Sequence, residues 1–153
     1  MADGSWAEHK GAFDDDFFKD FKQSDTTGIK FKLVQRPKEG ERPVVGQRVY
    51  VHYTGYLLDG SKFDSSYSKV DPFYFRIGKG KVIRGWDSLA QGMTPGMKII
   101  AQIPPDFAYG DKSVGPIPPN SNLVFYMEMM DFGEIRGDKP RLDNLTGGAS
   151  GGT

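Results

Sequence analysis

The chain has 153 residues, no cysteine, and 20 Lys and Arg against 20 Asp and Glu. This length fits one domain with tails, and a balanced charge with no basic stripe argues against a nucleic-acid partner. The absence of cysteine excludes disulfides and thiolate sites, and the two histidines, His9 and His52, stand in unrelated contexts, so we expect neither a metal site nor a cofactor.

Shifts in composition divide the chain into three zones. Residues 1–27 are acidic with scattered aromatics, residues 28–134 alternate apolar stretches with Gly and Pro turns, and residues 135–153 are expected to form a flexible tail. No run approaches the ~18 apolar residues of a membrane span, and MADGSWAEHK lacks the regions of a signal peptide. We therefore expect a cytoplasmic protein that binds no membrane.

The first zone carries an aromatic stripe. In GAFDDDFFKDFKQ (11–23), Phe13, Phe17 and Phe21 lie four residues apart, with Phe18 beside them. This spacing is typical of an amphipathic helix with acidic residues between the rings. Two interpretations are open: the stripe folds back onto the domain, or it is a docking helix that binds in the groove of a protein partner.

The middle zone shows the two-residue period of β-strands. Five apolar rows alternate with polar residues, a shorter strand is expected around Phe63, and turn sequences such as RPKEGERP, LLDGSK and IPPNSN separate them. The rows are Ile29, Phe31 and Leu33; Val49, Val51 and Tyr53; Phe73, Phe75 and Ile77; Met97, Ile99, Ala101 and Ile103; and Leu123, Phe125, Met127 and Met129.

One helix is predicted among the strands, from about Arg84 to Gln91, with Gly92 suited to end it. Trp86 and Leu89 share one face of this helix, and the only apolar surface that could cover that face is the inner side of the sheet. We therefore predict an α+β fold in which an antiparallel sheet of five to six strands wraps around one short helix.

Aromatic residues are frequent, since Phe, Tyr and Trp make 20 of the 153 residues. Several of them lie where loops are predicted, including Phe63, Phe73, Phe107 and Tyr109. A domain of this size cannot enclose every large ring, so some rings are expected to line an open apolar hollow. Asp64, directly after Phe63, would bring a carboxylate to the edge of that hollow.

Four blocks of the sequence closely resemble the FKBP-type peptidyl-prolyl cis–trans isomerases, the macrolide-binding immunophilins. The blocks follow the family's order, and the resemblance covers about residues 28–133. It implies an antiparallel half-barrel wrapped on a short helix, in agreement with the fold predicted from the pattern. The blocks are VHYTGYLLDGSKFDSS (51–66), PFYFRIGKGKVIRGWDSLAQGM (72–93), PPDFAYG (104–110) and IPPNSNLVFYMEMM (117–130).

The resemblance also implies a pocket and a role for each of its residues. Trp86 would form the floor on which a proline ring stacks, and Asp64 would lie at the rim. The backbone N–H of Ile83 and the hydroxyl of Tyr109 would donate hydrogen bonds to ligand carbonyls. Phe63 joins Trp86, Tyr109 and Asp64 as the residues expected to act in catalysis. The residues expected to bind the ligand are Tyr53, Phe73, Val82, Ile83, Ile117 and Phe125.

Taken one at a time, several of these residues have a purely structural interpretation. Tyr53 and Tyr109 could be buried tyrosines whose hydroxyls bond within the fold, and Asp64 could fix its own turn through backbone hydrogen bonds. His52 lies on the opposite face of its strand from Tyr53 and is interpreted as structural. The functional interpretation depends on the whole set rather than on any member.

The sequence departs from the family pattern around the rim of the pocket. Lys81 stands where an acidic residue is common, Lys69 where Arg is common, and Pro116 where an aliphatic residue is common. The loop at 111–116 is one residue shorter than in the smallest members. We expect these differences to affect substrate preference and the presentation of a bound macrolide to a protein partner, and to leave the floor unchanged.

The resemblance implies an enzyme that accelerates rotation about X–Pro bonds in peptide or protein substrates and binds macrolides such as tacrolimus and rapamycin. The expected mechanism is desolvation and twisting in an aromatic pocket, with no nucleophile, metal or cofactor. A module that binds proline segments or macrolides without turnover is the alternative. The sequence contains no oligomerising heptad or repeat, so a purely structural role ranks third. We expect a monomer.

Overall fold

The computed structural model describes residues 3–37, 40–69 and 71–133 of the chain. Within these residues the regular structure consists of seven strands, two short α-helices and three 3-10 turns. The helices are α1 (Asp15–Phe18) and α2 (Arg84–Ala90), and the 3-10 turns cover Ser5–Ala7, Ser66–Ser68 and Pro105–Phe107. The strands are β1 (Lys22–Gln23), β2 (Lys30–Gln35), β3 (Arg48–Leu57), β4 (Lys62–Ser65), β5 (Phe73–Arg76), β6 (Lys98–Ile103) and β7 (Leu123–Phe132).

The strands form one antiparallel sheet in the order β1-β2-β6-β7-β3-β4, and β5 also pairs with β3. Strand β3 is central to this arrangement. One of its edges pairs with β7 along nearly its whole length, and the other pairs first with β5 and then with β4. Its register shifts between Tyr50 and Val51 and again between Gly55 and Tyr56. Such irregularities bend a strand, so they help the sheet to curve around α2.

The concave face of the sheet holds the main core. Alternate residues of a strand point to the same face, so Val49, Val51 and Tyr53 of β3 meet the rows of β6 and β7 that the sequence predicts. Burial of each large apolar side chain contributes about 1.5–3 kcal/mol. This core therefore supplies most of the stabilisation of the curved sheet. Its other sheet members include Phe75, Ile77, Ile99, Ala101, Ile103, Leu123, Phe125, Met127 and Met129.

Helix α2 crosses the concave face and buries Gly85, Trp86 and Ala90 against it. The closest approach is at Gly85, where an added Cβ would lie 2.7 Å from Cγ2 of Ile103. The helix ends at Ala90, one residue before the predicted end, and Gln91 caps it. Because Gly85 has no side chain, the helix can approach β6 this closely.

Residues 3–23, which we call the N-terminal arm, run across the convex face of the sheet. Phe13 and Phe18 are buried there against Tyr56 and Tyr126, which point away from the main core. The backbone N–H of Phe13 donates to the carbonyl of Leu58 at 2.8 Å. The sheet is therefore covered on both faces, by α2 on one side and by the arm on the other.

The helix predicted over residues 11–23 is reduced to the single turn α1. Asp14 caps this turn by accepting a hydrogen bond from the N–H of Phe17 at 3.0 Å, but aspartates are weak helix formers in helix interiors. Phe13 and Phe18 are buried against the sheet, and the aromatic residues do not form one face of a continuous helix. Because the sheet covers Phe13 and Phe18, the structure favours the interpretation in which residues 11–23 fold back onto the domain, and binding of a protein partner by this segment stays a prediction.

The predicted fold class, an α+β fold with an antiparallel sheet wrapped on one short helix, is confirmed. The sheet has seven strands rather than five to six, and the additional strand is the two-residue β1. The zone boundaries at 27/28 and 134 stay predictions, and the predicted tail at 135–153 lies outside the described residues. Among the described residues, no helix is long and apolar enough to cross a membrane.

We expect Gly85→Ala to lower the free energy of unfolding by about 1–2 kcal/mol. The added methyl group overpacks the contact with Ile103, and this cost exceeds the helix-propensity gain of up to about 1 kcal/mol. Gly92→Ala is the matched control, since its Cβ would lie at an ordinary 3.6 Å from the carbonyl oxygen of Leu89. Denaturant unfolding measures both variants, and equal stabilities would contradict the packing described here.

Candidate active site

A cavity of about 250 Å³ lies where the concave face of the sheet meets the start of α2. Strands β3, β4, β5 and β7, the loop before α2 and the loop after β6 all contribute side chains to its walls. Nine of the ten residues predicted to form the pocket line this cavity, and Lys81 joins them. The nine are Tyr53, Phe63, Asp64, Phe73, Val82, Ile83, Trp86, Tyr109 and Phe125.

Trp86 forms the floor of the cavity and is 5 % exposed. Its indole makes T-shaped contacts with Tyr53 at a centroid distance of 4.8 Å, Phe125 at 5.2 Å and Phe73 at 5.7 Å. Such contacts set the partly positive edge of one ring against the negative face of another. Three rings from three strands therefore hold the indole in one orientation below the opening.

Phe63 and Phe125 form a second T-shaped pair, with centroids 5.6 Å apart and planes at 89°. Both rings lie over Gly55 of β3, where an added Cβ would come within 2.6 Å of Phe63 and 2.9 Å of Phe125. Any side chain at this position would push these rings into the cavity or away from it. Gly55 therefore makes room for one wall of the site.

Both oxygens of Asp64 have partners at the rim of the cavity. The hydroxyl of Tyr53 donates a short hydrogen bond to Oδ2, the N–H of Ser65 donates to Oδ1 at 2.8 Å, and Nζ of Lys69 lies 3.4 Å from Oδ1. Burial of the Tyr53 ring, and next its bond to Asp64, raise the pKa of Tyr53. Its hydroxyl therefore keeps its proton and fixes the carboxylate.

Two hydrogen-bond donors that line the cavity have no partner among the described residues. One is the backbone N–H of Ile83, whose carbonyl is occupied in accepting from Trp86 and Asp87. The other is the hydroxyl of Tyr109, a residue that is 37 % exposed. Burial and then the charge of Asp64 raise the pKa of Tyr109, so its hydroxyl remains a donor above neutral pH.

The structure does not bring Ile117 to the cavity. Ile117 and Val114 exchange backbone hydrogen bonds of 2.8 and 3.0 Å across a tight turn, and the Ile117 side chain is buried in the main core. This turn includes the last residues of the loop at 111–116, which differs from the family pattern. The described residues contain no group of three His, Cys, Asp or Glu that could hold a metal ion.

His52 lies behind the rim, on the opposite side of β3 from Tyr53. Its Nδ1 is 2.8 Å from Oγ of Ser66, which also accepts a hydrogen bond from the backbone N–H of Tyr53 at 2.7 Å. The imidazole stacks on Tyr67 with centroids 4.6 Å apart. Burial lowers the pKa of His52 to about 4. The neutral ring therefore ties β3 to the turn that follows Asp64, and it does not line the cavity.

Comparison with known proteins assigns this arrangement to a family. The model of the family described as FKBP-type peptidyl-prolyl cis-trans isomerase matches residues 39–130, more than half of the chain. The chain belongs to the FKBP-type peptidyl-prolyl cis–trans isomerase family. The cavity is therefore the region in which this family's substrate site is to be sought, while the role of each lining residue stays a prediction.

Individual FKBP-type proteins agree with this assignment. The chain is 43 % identical to FK506-binding protein 1A of Aspergillus fumigatus over 107 residues, 69 % of this chain and 96 % of that protein. It is 47 % identical to human peptidyl-prolyl cis-trans isomerase FKBP4 over 103 residues, 66 % of this chain, and spans only 22 % of that protein's length. The crystal structure of FkpA from Escherichia coli matches with a TM-score of 0.67 and 39 % identity, covering 83 % of this chain and 54 % of that one.

Two contributors to the FKBP-type site were not singled out as site residues from the sequence. Gly55 carries no chemical group, so only the positions of Phe63 and Phe125 reveal that a side chain would not fit. Lys81 was noted as a departure from the family pattern, and the structure places it on the cavity wall. Lys81 directly precedes Val82 and Ile83 in the sequence, and this position could have indicated that it lies on the cavity wall.

We expect His52 to make stability depend on pH. Its folded pKa of about 4 lies below the ordinary 6.5, so the unfolded chain takes up a proton first and stability falls as pH drops from 6.5 to 4. At about 1.4 kcal/mol per pKa unit, the loss is about 3 kcal/mol. Denaturant unfolding of the wild type and of His52→Asn across this range should show a shallower slope for the variant, and identical slopes would contradict the burial effect.

Proposed function

We propose that this chain catalyses cis–trans isomerisation of X–Pro bonds in peptide and protein substrates. The observation that carries the proposal is the ring-lined cavity with Trp86 as its floor. Its volume of about 250 Å³ lies just below the ~300–1,000 Å³ of pockets for drug-sized ligands. A proline ring with its neighbouring carbonyls suits a cavity of this size and lining.

Rotation about an X–Pro bond is slow because the planar amide must lose its resonance. The barrier is ~18–20 kcal/mol, and uncatalysed exchange takes tens to hundreds of seconds. Water stabilises the planar form, which carries more charge separation than the twisted one. Transfer of the bond from water to a cavity walled by Tyr53, Phe63, Phe73, Trp86 and Phe125 therefore favours the twisted form. Every ~1.4 kcal/mol removed from the barrier gives a tenfold gain in rate.

Hydrogen bonds from the cavity wall would add to this effect. The free N–H of Ile83 is suited to hold one substrate carbonyl, while the hydroxyl of Tyr109 is suited to a carbonyl that has turned out of the amide plane. Donors fixed in advance stabilise a transition state because they need no reorganisation. Asp64, whose oxygens are held by Tyr53 and Ser65, would fix the Tyr53 ring in the cavity wall without transferring a proton.

The same cavity supports a second part of the proposal, the binding of macrolides such as tacrolimus and rapamycin. The Aspergillus relative is named for FK506, which is tacrolimus, and the lining of the cavity is mainly aromatic. The departure of the loop at 111–116 from the family pattern would alter the surface that a bound macrolide presents to a protein partner. A module that binds without turnover remains the competing hypothesis.

One experiment separates the two functions. An NMR exchange or protease-coupled assay with an X–Pro peptide should show accelerated isomerisation, and tacrolimus should inhibit it by occupying the same cavity. Binding of the peptide or of tacrolimus without acceleration would overturn the isomerase and leave the binding module. Acceleration that tacrolimus does not affect would retain the isomerase and reject macrolide binding.

We expect Trp86→Leu to reduce kcat/KM for an X–Pro peptide by about tenfold or more. The flat floor is lost together with the three T-shaped ring contacts of Trp86, each worth about 0.5–1.5 kcal/mol. Phe132→Leu is the matched control, because this ring is also buried in the core but does not line the cavity. Both variants should remain folded by circular dichroism, and equal losses of activity would count against Trp86 as the floor.

We expect kcat/KM to change little between about pH 6 and 9. The pKa of Tyr109 and that of Tyr53 are raised above the ordinary value, so both hydroxyls keep their protons across this range. The pKa of His52, about 4, leaves its ring neutral. A steep titration of the rate near neutrality would show that proton transfer contributes and would contradict catalysis by desolvation and twisting.

A further inference from the structure

A second hollow, of about 540 Å³, lies beside the cavity and shares Phe63 and Asp64 with it. We call this second hollow the arm groove. One wall comes from the N-terminal arm, and the other comes from β4 and the turn at 66–68. The groove meets the cavity at the rim that Phe63 and Asp64 form. Its lining residues are Gly4, Ser5, Glu8, Lys62, Phe63, Asp64, Ser65, Tyr67 and Ser68.

The wall formed by the arm is held by hydrogen bonds to the sheet. Nε1 of Trp6 donates to the hydroxyl of Tyr67 at 2.9 Å, which in turn donates to Glu128 at 2.7 Å. The hydroxyl of Tyr56 donates to the carbonyl of Ala7 at 2.7 Å. These side chains come from two different strands and the turn between β4 and β5, so the arm lies on a rigid surface.

Gly4 shows how closely this wall approaches the turn. A Cβ at this position would lie 2.5 Å from Cγ of the Tyr67 ring. The arm can therefore lie against the turn only because residue 4 has no side chain. This contact and the hydrogen bond from Trp6 to Tyr67 hold the arm against the turn at 66–68, so the wall of the arm groove is part of the folded structure.

The lining of the arm groove is mainly polar, with the carboxylates of Glu8 and Asp64 and the ammonium group of Lys62. Glu8 and Lys62 form an ion pair across it, with Nζ 2.8 Å from Oε1 and 2.9 Å from Oε2. The hydroxyls of Ser5 and Ser68 donate within the protein, to Asp3 and to the carbonyl of Ser65, so they face a ligand as acceptors. Its volume lies within the ~300–1,000 Å³ of ligand sites. A polar peptide segment, whose backbone and side chains can bond to these groups, fits such a lining better than a large apolar side chain.

We propose that the arm groove is a subsite for the polar substrate residues that flank the proline on one side. This inference rests on the proposed isomerase function and extends it to the sequence around the X–Pro bond. The match to the family begins at residue 39, so the wall supplied by the arm lies outside the shared domain. Substrate preference would thus be set in part by a segment that other members need not have.

The test compares two peptides in the isomerisation assay. One carries only the residues around the X–Pro bond, and the other is extended at both ends with serine and asparagine. We expect kcat/KM to be about tenfold higher for the extended peptide, through a lower KM, because one or two net hydrogen bonds are gained. Ser5→Tyr should place a ring in the arm groove and bring the ratio of the two kcat/KM values towards one.

The ion pair offers a second readout. Glu8→Gln leaves Lys62 without its partner in the arm groove, so extended peptides with acidic flanks should gain about fivefold over those with basic flanks, the effect of one charge pair at about 4 Å in water. Asp20→Asn is the matched control, since it frees Lys32 from an ion pair of 3.1 Å elsewhere on the arm. Asp20→Asn should change neither the ratio of kcat/KM between extended and short peptides nor the ratio between peptides with acidic and basic flanks.

The outcomes are distinguishable. Turnover of both peptides with equal kcat/KM in the wild type would overturn the subsite and leave the isomerase. A length preference that Ser5→Tyr does not reduce, or a charge preference that Asp20→Asn shifts as much as Glu8→Gln, would also overturn the subsite. Turnover of neither peptide would overturn the isomerase and the subsite with it.

Discussion

The packing of Trp86 is the contact on which the rest of the structure depends. Its indole packs in the main core and also forms the floor of the cavity, so one ring belongs to both regions. It can occupy this position because Gly85 lets α2 approach β6 and because three rings meet the indole at steep angles. The apolar environment proposed to weaken an amide's resonance is therefore a by-product of the packing that stabilises the fold.

The arm gives the rim of the cavity a support that the sheet alone does not provide. Strand β4 carries Phe63 and Asp64 at the edge of the sheet, and within the described part of the chain it pairs only with β3. Edge strands have unpaired backbone groups and few restraints. Here Glu8 and Trp6 contact this edge and its following turn from the convex side, while His52 ties the turn to β3 from beneath. Rim, edge strand and arm thus form one connected unit.

Much of the fold follows from the sequence because the strands alternate strictly, as Val49, Val51 and Tyr53 illustrate, and neighbouring rows need a common core. The pocket residues could be named because four motifs resemble a family. The path of the arm could not be predicted in this way. The spacing of Phe13, Phe17 and Phe21 fits a helix equally well, and it is burial of Phe13 and Phe18 against Tyr56 and Tyr126 that favours the fold-back alternative. Ile117 is not among the residues that line the cavity, a placement that follows from the turn with Val114, and its role in ligand binding stays a prediction.

The two-sided burial of the sheet bears on where a shortened version of this protein could begin. The family match starts at residue 39, which would suggest discarding everything before it. Removal of the arm would uncover Tyr56, Val124 and Tyr126 together, and contiguous apolar surface of this kind promotes self-association. Residues 3–23 thus cover apolar surface of the sheet, and a shortened chain that keeps this surface covered must extend beyond the residues that the family model matches.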